Sequence, residues 1–119
     1  MTYIDGFVAA VPTGNRDKFK KHAEEAAAIF KKYGALRVTE CWGDDVPEGK
    51  VTSFPMAVQR KEDETVVFSW IVYPSRAARD KCIARVMKDK RLAAMMDPKK
   101  MPFDAKRMIY GGFKTIVEA

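Results

Sequence analysis

Val66-Val67-Phe68-Ser69-Trp70-Ile71-Val72-Tyr73 (VVFSWIVY) decides the architecture of this 119-residue chain. The run is rich in β-branched and aromatic side chains and is bounded by the polar stretch Arg60 to Glu64 and by Pro74, which together mark a strand. Successive strand side chains point to opposite faces. Here both alternating sets are apolar apart from Ser69, whereas a sheet with one wet side should alternate apolar and polar. Both faces of this strand therefore need cover.

Downstream, Ser75 caps a helix whose inner face carries Ala78, Cys82, Ile83, Val86 and Met87. Asp89 caps a short further helix that ends before Pro98, Lys99 to Asp104 is a loop, and Lys106 to Val117 (KRMIYGGFKTIV) reads as the last strand. Upstream, Arg60 to Glu64 forms a hairpin turn, and Thr52 to Gln59 is an extended piece that Pro55 confines to an edge or a bulge. Gly43 to Lys50 is an exposed connection, and Leu36 to Trp42 is a strand. The first strand, Tyr3 to Val11, ends at Pro12 and Gly14. A helix capped by Asn15 follows, with Phe19, Ala23, Ala26, Phe30 and Tyr33 on one face and Gly34 as its stop.

Strand, helix, strand, hairpin, helix, strand is the order of a split βαβ, ferredoxin-like α+β fold. The expectation is one domain over residues 1–119, with an antiparallel sheet and an added edge strand. The first strand repeats the two-faced pattern, with Tyr3, Phe7 and Val11 on one side and Ile4, Val8 and Ala10 on the other. Two or three helices cover one side of such a sheet. A second copy of the chain is the simplest cover for the other, so a homodimer is expected.

Composition bounds the function. The chain is 47% hydrophobic and 32% charged, ordinary for a globular protein. Its longest early apolar stretch, Phe7 to Val11, is far shorter than a membrane span and follows Asp5 rather than a basic segment. A cytoplasmic protein without membrane contact is the expectation, with Cys41 and Cys82 reduced and buried. The net charge of +6 is unevenly spread: Arg76 to Arg107 holds 11 basic and 4 acidic residues, Val38 to Glu64 holds 3 basic and 7 acidic.

The runs YIDGFVAAVP, ALRVTECW, DVPEGKVTSF, VVFSWIVYPS and MPFDAKRMIYGGF, in this order and spacing, resemble the YbaA-like family of small bacterial proteins of unknown function. The resemblance spans nearly the whole chain. It implies the dimeric α/β-barrel arrangement, in which two ferredoxin-like subunits face their sheets together. Relatives within that superfamily include cofactor-free monooxygenases and small-molecule-binding or degrading enzymes that use a pocket between sheet and helices.

Candidate site residues gather at strand ends. Glu40 and Trp42 share a face of the second strand, and a carboxylate beside an indole in a low-dielectric pocket gains a raised pKa suited to acid or base work. The alternative is that Glu40 pairs with a basic residue, at a strand end or in the dimer seam. Asp5, central in an apolar run, needs a partner, and Arg107 or Lys106 on the adjacent last strand is the expected one. Met101 to Tyr110 offers Phe103 as a loop wall, Asp104 and Arg107 as opposite charges and Tyr110 as a hydroxyl; it is either a ligand-binding lip or a plain closing loop. Gly111-Gly112 suggests a bulge or a close approach. His22 is the only histidine, which excludes a multi-histidine metal site and leaves a half-buried helix position or a proton-transfer role. Neither cysteine has zinc spacing, and Asp44, Asp45 and Glu48 do not match an EF-hand.

The reading is a homodimer whose subunits hold a small organic molecule in a pocket lined by Trp42, Trp70, Phe103 and Tyr110. Any chemistry needs no cofactor or metal and draws on Glu40, His22, Asp104 or Arg107. The rival reading is RNA binding through basic residues 76–107. Against it, the RNP1 pattern is missing, and Arg79, Lys81, Arg85 and Lys88 fit the solvent side of a helix. A purely structural interaction dimer is the third reading.

Overall fold

The computed structural model describes all of residues 1–119. Its strands are β1 (Tyr3–Pro12), β2 (Arg37–Trp42), β3 (Glu64–Tyr73) and β4 (Ile109–Lys114), and its helices α1 (Arg16–Lys32), α2 (Phe54–Ala57), α3 (Arg76–Val86) and α4 (Lys90–Met95). The sheet runs β2-β3-β1-β4 with every neighbour antiparallel, the ferredoxin-like order of an α+β fold.

Local chemistry accounts for most boundaries. The Ser75 hydroxyl accepts from the Ala78 amide at 3.1 Å and the Asp89 carboxylate from the Arg91 amide at 2.8 Å, so α3 and α4 start on side-chain caps. Gly34, at φ 116°, turns the chain after α1 where a residue with a Cβ would be strained. Asn15 occupies the position before α1 without a side-chain cap; its amide donates instead to the Pro102 carbonyl at 2.9 Å.

The pairing register sorts the side chains. Tyr3, Asp5, Phe7, Ala9 and Val11 of β1 lie opposite Tyr73, Ile71, Ser69, Val67 and Thr65 of β3, and all of these face the helices. Ile71 and Tyr73 pack with Ile29, Cys82, Val86 and Leu92; Val11 and Val67 pack with Phe19 and Ala23. Each such large apolar side chain contributes about 1.5–3 kcal/mol by leaving water. Met87, expected on the inner face of α3, is 64% exposed because the helix has already ended at Val86.

The opposite face carries Ile4, Gly6, Val8 and Ala10 of β1, Val66, Phe68, Trp70 and Val72 of β3, and Ile109 and Phe113 of β4. Only one end of it is covered within the chain: Val58 is fully buried against Val8, Ala10 and Val66. Elsewhere apolar surface lies open, with Phe68 44% and Phe113 61% exposed.

Three expectations about the strands need correction. Thr52 to Gln59 is not an added edge strand but the helical turn α2, because Ser53 caps it and Pro55 sits in its first turn, where a missing N–H is harmless. The sheet therefore has four strands. The last strand is shorter than Lys106 to Val117: Ala105–Arg107 forms a 3₁₀ turn and pairing stops at Lys114. Gly111-Gly112 is no bulge, since the β1–β4 register runs unbroken from Val8 to Tyr3. What Gly112 supplies is room: a Cβ there would lie 2.2 Å from the Arg79 guanidinium and 2.5 Å from the Tyr3 hydroxyl.

That room explains Asp5, whose partner is Arg79 at 3.2 Å rather than Arg107 or Lys106. Asp5 pairs across the sheet with Gly112, so the arginine comes down from α3 through the gap, its guanidinium 5.0 Å from the Tyr3 ring centre. Arg79 is thus half-buried, not on the solvent side of α3.

Candidate functional site

Helix α1 bridges a hollow above the sheet. Its underside carries Phe19, His22, Ala23 and Ala26, spaced three and four residues apart on one face. With Glu40, Ser69 and Phe103 these side chains line an inner cavity of about 130 Å³. On the β2 flank the cavity meets a groove of about 370 Å³ walled by Phe19, Val38, Glu40 and Trp42, with Arg16 and Lys20 at its lip. The Phe19 ring is the hinge between them, 6.2 Å from Trp42 and 5.9 Å from Phe103.

Glu40 belongs to both spaces. The register places it opposite Ser69 on β3, with its side chain beneath α1. Within the chain it makes no ion pair. The protein atoms crowding its carboxylate raise its pKa, while the Ser69 hydroxyl pulls it down. Its residue surface nonetheless remains substantially open along the groove, so a solute can reach it.

His22 is half-buried, and its Nε2 lies 3.0 Å from the Met95 carbonyl oxygen. A carbonyl only accepts, so Nε2 carries the proton. In the neutral ring Nδ1 is then the acceptor. A ring nitrogen free to accept and a carboxyl with a raised pKa line one small cavity, a combination suited to moving a proton on a bound molecule.

The remaining candidates lie elsewhere. Trp70 faces the helix-free side, 5.4 Å from Phe68. Tyr110 is 75% exposed and stacks on Phe7 at 6.3 Å. Arg107 holds Glu64 through two short bonds, 2.7 and 2.6 Å, and Asp104 at 3.1 Å, all at the far end of β1. These charges satisfy one another and make a structural knot. No group of three or more histidine, cysteine or acidic side chains is placed to hold a metal ion. Ser69, Phe19 and Ala26 join the site without having been singled out for it; Ser69 carried a signal, as the one polar residue of the VVFSWIVY strand.

A family model described as a protein of unknown function (DUF1428) matches residues 2–105. The chain belongs to this family. It is 52% identical over 118 residues to the uncharacterised protein YbaA of Escherichia coli K12, covering 99% of each chain, and equally similar to the YbaA of Shigella flexneri. A crystal structure of an uncharacterised NIPSNAP domain protein from Burkholderia xenovorans superposes with a TM-score of 0.63 at 17% identity, covering 98% of this chain and 97% of that one. At that identity the likeness is one of fold, and it agrees with the four-stranded α+β architecture. No helix is long and apolar enough to cross a membrane.

Proposed function

We propose that this protein is a homodimer that binds a small organic molecule beneath α1, with Glu40 and His22 available for proton transfer and no cofactor required. The observation that carries the ligand reading is the inner cavity, where Phe19 and Phe103 give an apolar wall and Glu40, His22 and Ser69 give converging polar groups. Few precise polar groups in an apolar hollow is the usual make-up of a small-molecule site. Dimerisation rests on the helix-free face, where Phe68, Trp70 and Phe113 form an apolar surface that a second copy of the same sheet would bury. A half-buried Cys41 and a buried Cys82, both unpaired, fit a reducing cytoplasm.

RNA binding is the weaker reading. The open aromatics Phe68, Trp70 and Phe113 of the sheet lie on the helix-free face, whereas the basic side chains of α3 and of the turn after α4 belong to the helix layer. Stacking and phosphate contact would then fall on opposite sides of the molecule.

The test has two parts. Sedimentation at micromolar concentration should give a dimer, and a stable monomer would remove that half of the proposal. A thermal-shift screen of small organic compounds should find stabilising ligands whose effect is lost in Ala23→Leu, which fills the inner cavity. If no compound shifts the wild type, or Ala23→Leu responds equally, the ligand reading fails.

A further inference from the structure

On the flank of α1 away from β2 lies a second hollow, a cleft of about 480 Å³ between α1 and the turn that follows α4. Lys18 and Lys21 project into it from α1, Lys99 and Lys100 from the turn, and Glu25 is its one carboxylate. All seven ion pairs in the molecule are made by arginine, so these four lysines have no carboxylate partner. Gathering four like charges around a single carboxylate is unfavourable, and an anion in the cleft would relieve it.

The cleft is built rather than incidental. Its walls are tied at both ends, by the Asn15 amide donating to the Pro102 carbonyl at 2.9 Å and by His22 donating to the Met95 carbonyl at 3.0 Å. Asp97 shapes the turn: its carbonyl accepts from the Lys100 amide at 2.8 Å, and its carboxylate accepts from the Lys99 amide at 3.0 Å. The lysine-bearing segment is thus held against α1.

His22 lines both this cleft and the inner cavity. Under α1 the three hollows therefore adjoin in order: the aromatic groove, the inner cavity with Glu40 and His22, and the cationic cleft. We infer that the ligand is an organic anion, a carboxylate or a phosphate or sulfonate ester, whose apolar body lies under α1 and whose charged head sits among Lys18, Lys21, Lys99 and Lys100. This rests on the ligand reading above and adds its chemical class and direction.

The test compares 2-naphthoate with its uncharged counterpart 2-naphthamide, both followed by NMR at the His22 ring and the Phe103 amide of the full chain. At low salt naphthoate should bind about tenfold more tightly, and Lys99→Gln/Lys100→Gln, two exposed turn positions, should bring the two affinities within about twofold. Raising the salt should weaken naphthoate and leave naphthamide unchanged. Equal affinities in the wild type, or a preference untouched by the double substitution, would overturn the anionic class while leaving the cavity as a ligand site. If neither compound perturbs His22 or Phe103, the cavity reading itself falls along with this one.

Discussion

Arg107 and Glu64 meet through two charge-assisted bonds, and both side chains are nearly closed to water, at 14% and 5% exposure. The guanidinium holds the Glu64 carboxyl below the usual carboxylate range against the opposing effect of burial. Removing the arginine alone strands a buried charge, so Arg107→Met should destabilise the protein by about 3 kcal/mol in urea titrations at pH 7. A depressed folded-state pKa gives stability that is present above the unfolded pKa and lost as pH falls through the folded one. The gap between wild type and variant should therefore narrow below about pH 4. Glu40 has the opposite sign, because its folded-state pKa is raised by burial. Its ionisation works against the fold once pH exceeds the unfolded value, so Glu40→Gln should melt higher than wild type at pH 7 and no higher near pH 4. Sequence distinguished these two carboxylates poorly. Glu40 was conspicuous beside Trp42, but Glu64 stood in a polar run that reads as a plain turn, and its partner is 43 residues away.

At the scale of elements, β1, β2 and β3 were legible because their composition and length leave no helical alternative. The segment after the exposed loop was not. Pro55 is compatible with an edge strand and with the first turn of a helix; the deciding signal was Ser53 two residues earlier, whose hydroxyl accepts from the Met56 amide at 3.1 Å. The difference matters, because α2 sets Phe54 against Phe68 and leads into Val58, which is fully buried on one end of the helix-free face. Val58→Ala should cost about 2–3 kcal/mol in urea denaturation although it lies outside every strand. An edge strand would instead have left this position tolerant. Asp5 failed for a related reason: strand order brought β1 beside β4, but only the register shows that Gly112 and not Arg107 lies opposite it. Register depends on where a strand begins, and the 3₁₀ turn Ala105–Arg107 left no mark in the hydrophobic pattern.

For the molecule as a whole, the asymmetry between the two sides of the sheet carries the dimer proposal. Trp70→Glu, a change on the helix-free face away from α1, should convert the dimer to a folded monomer in sedimentation while leaving ligand-induced stabilisation in place. Loss of both together would mean that the site needs the partner subunit. The two thiols provide a separate handle. Cys82 is fully buried, its sulfur 3.5 Å from the Phe30 carbonyl, and burial pushes its pKa up, while Cys41 sits half-exposed on the outermost strand. The native chain thus contains its own stopwatch: a disulfide reagent should modify Cys41 at a rate proportional to reagent concentration, then Cys82 only as often as the interior breathes. At saturating reagent the second phase becomes independent of concentration and times the opening event directly.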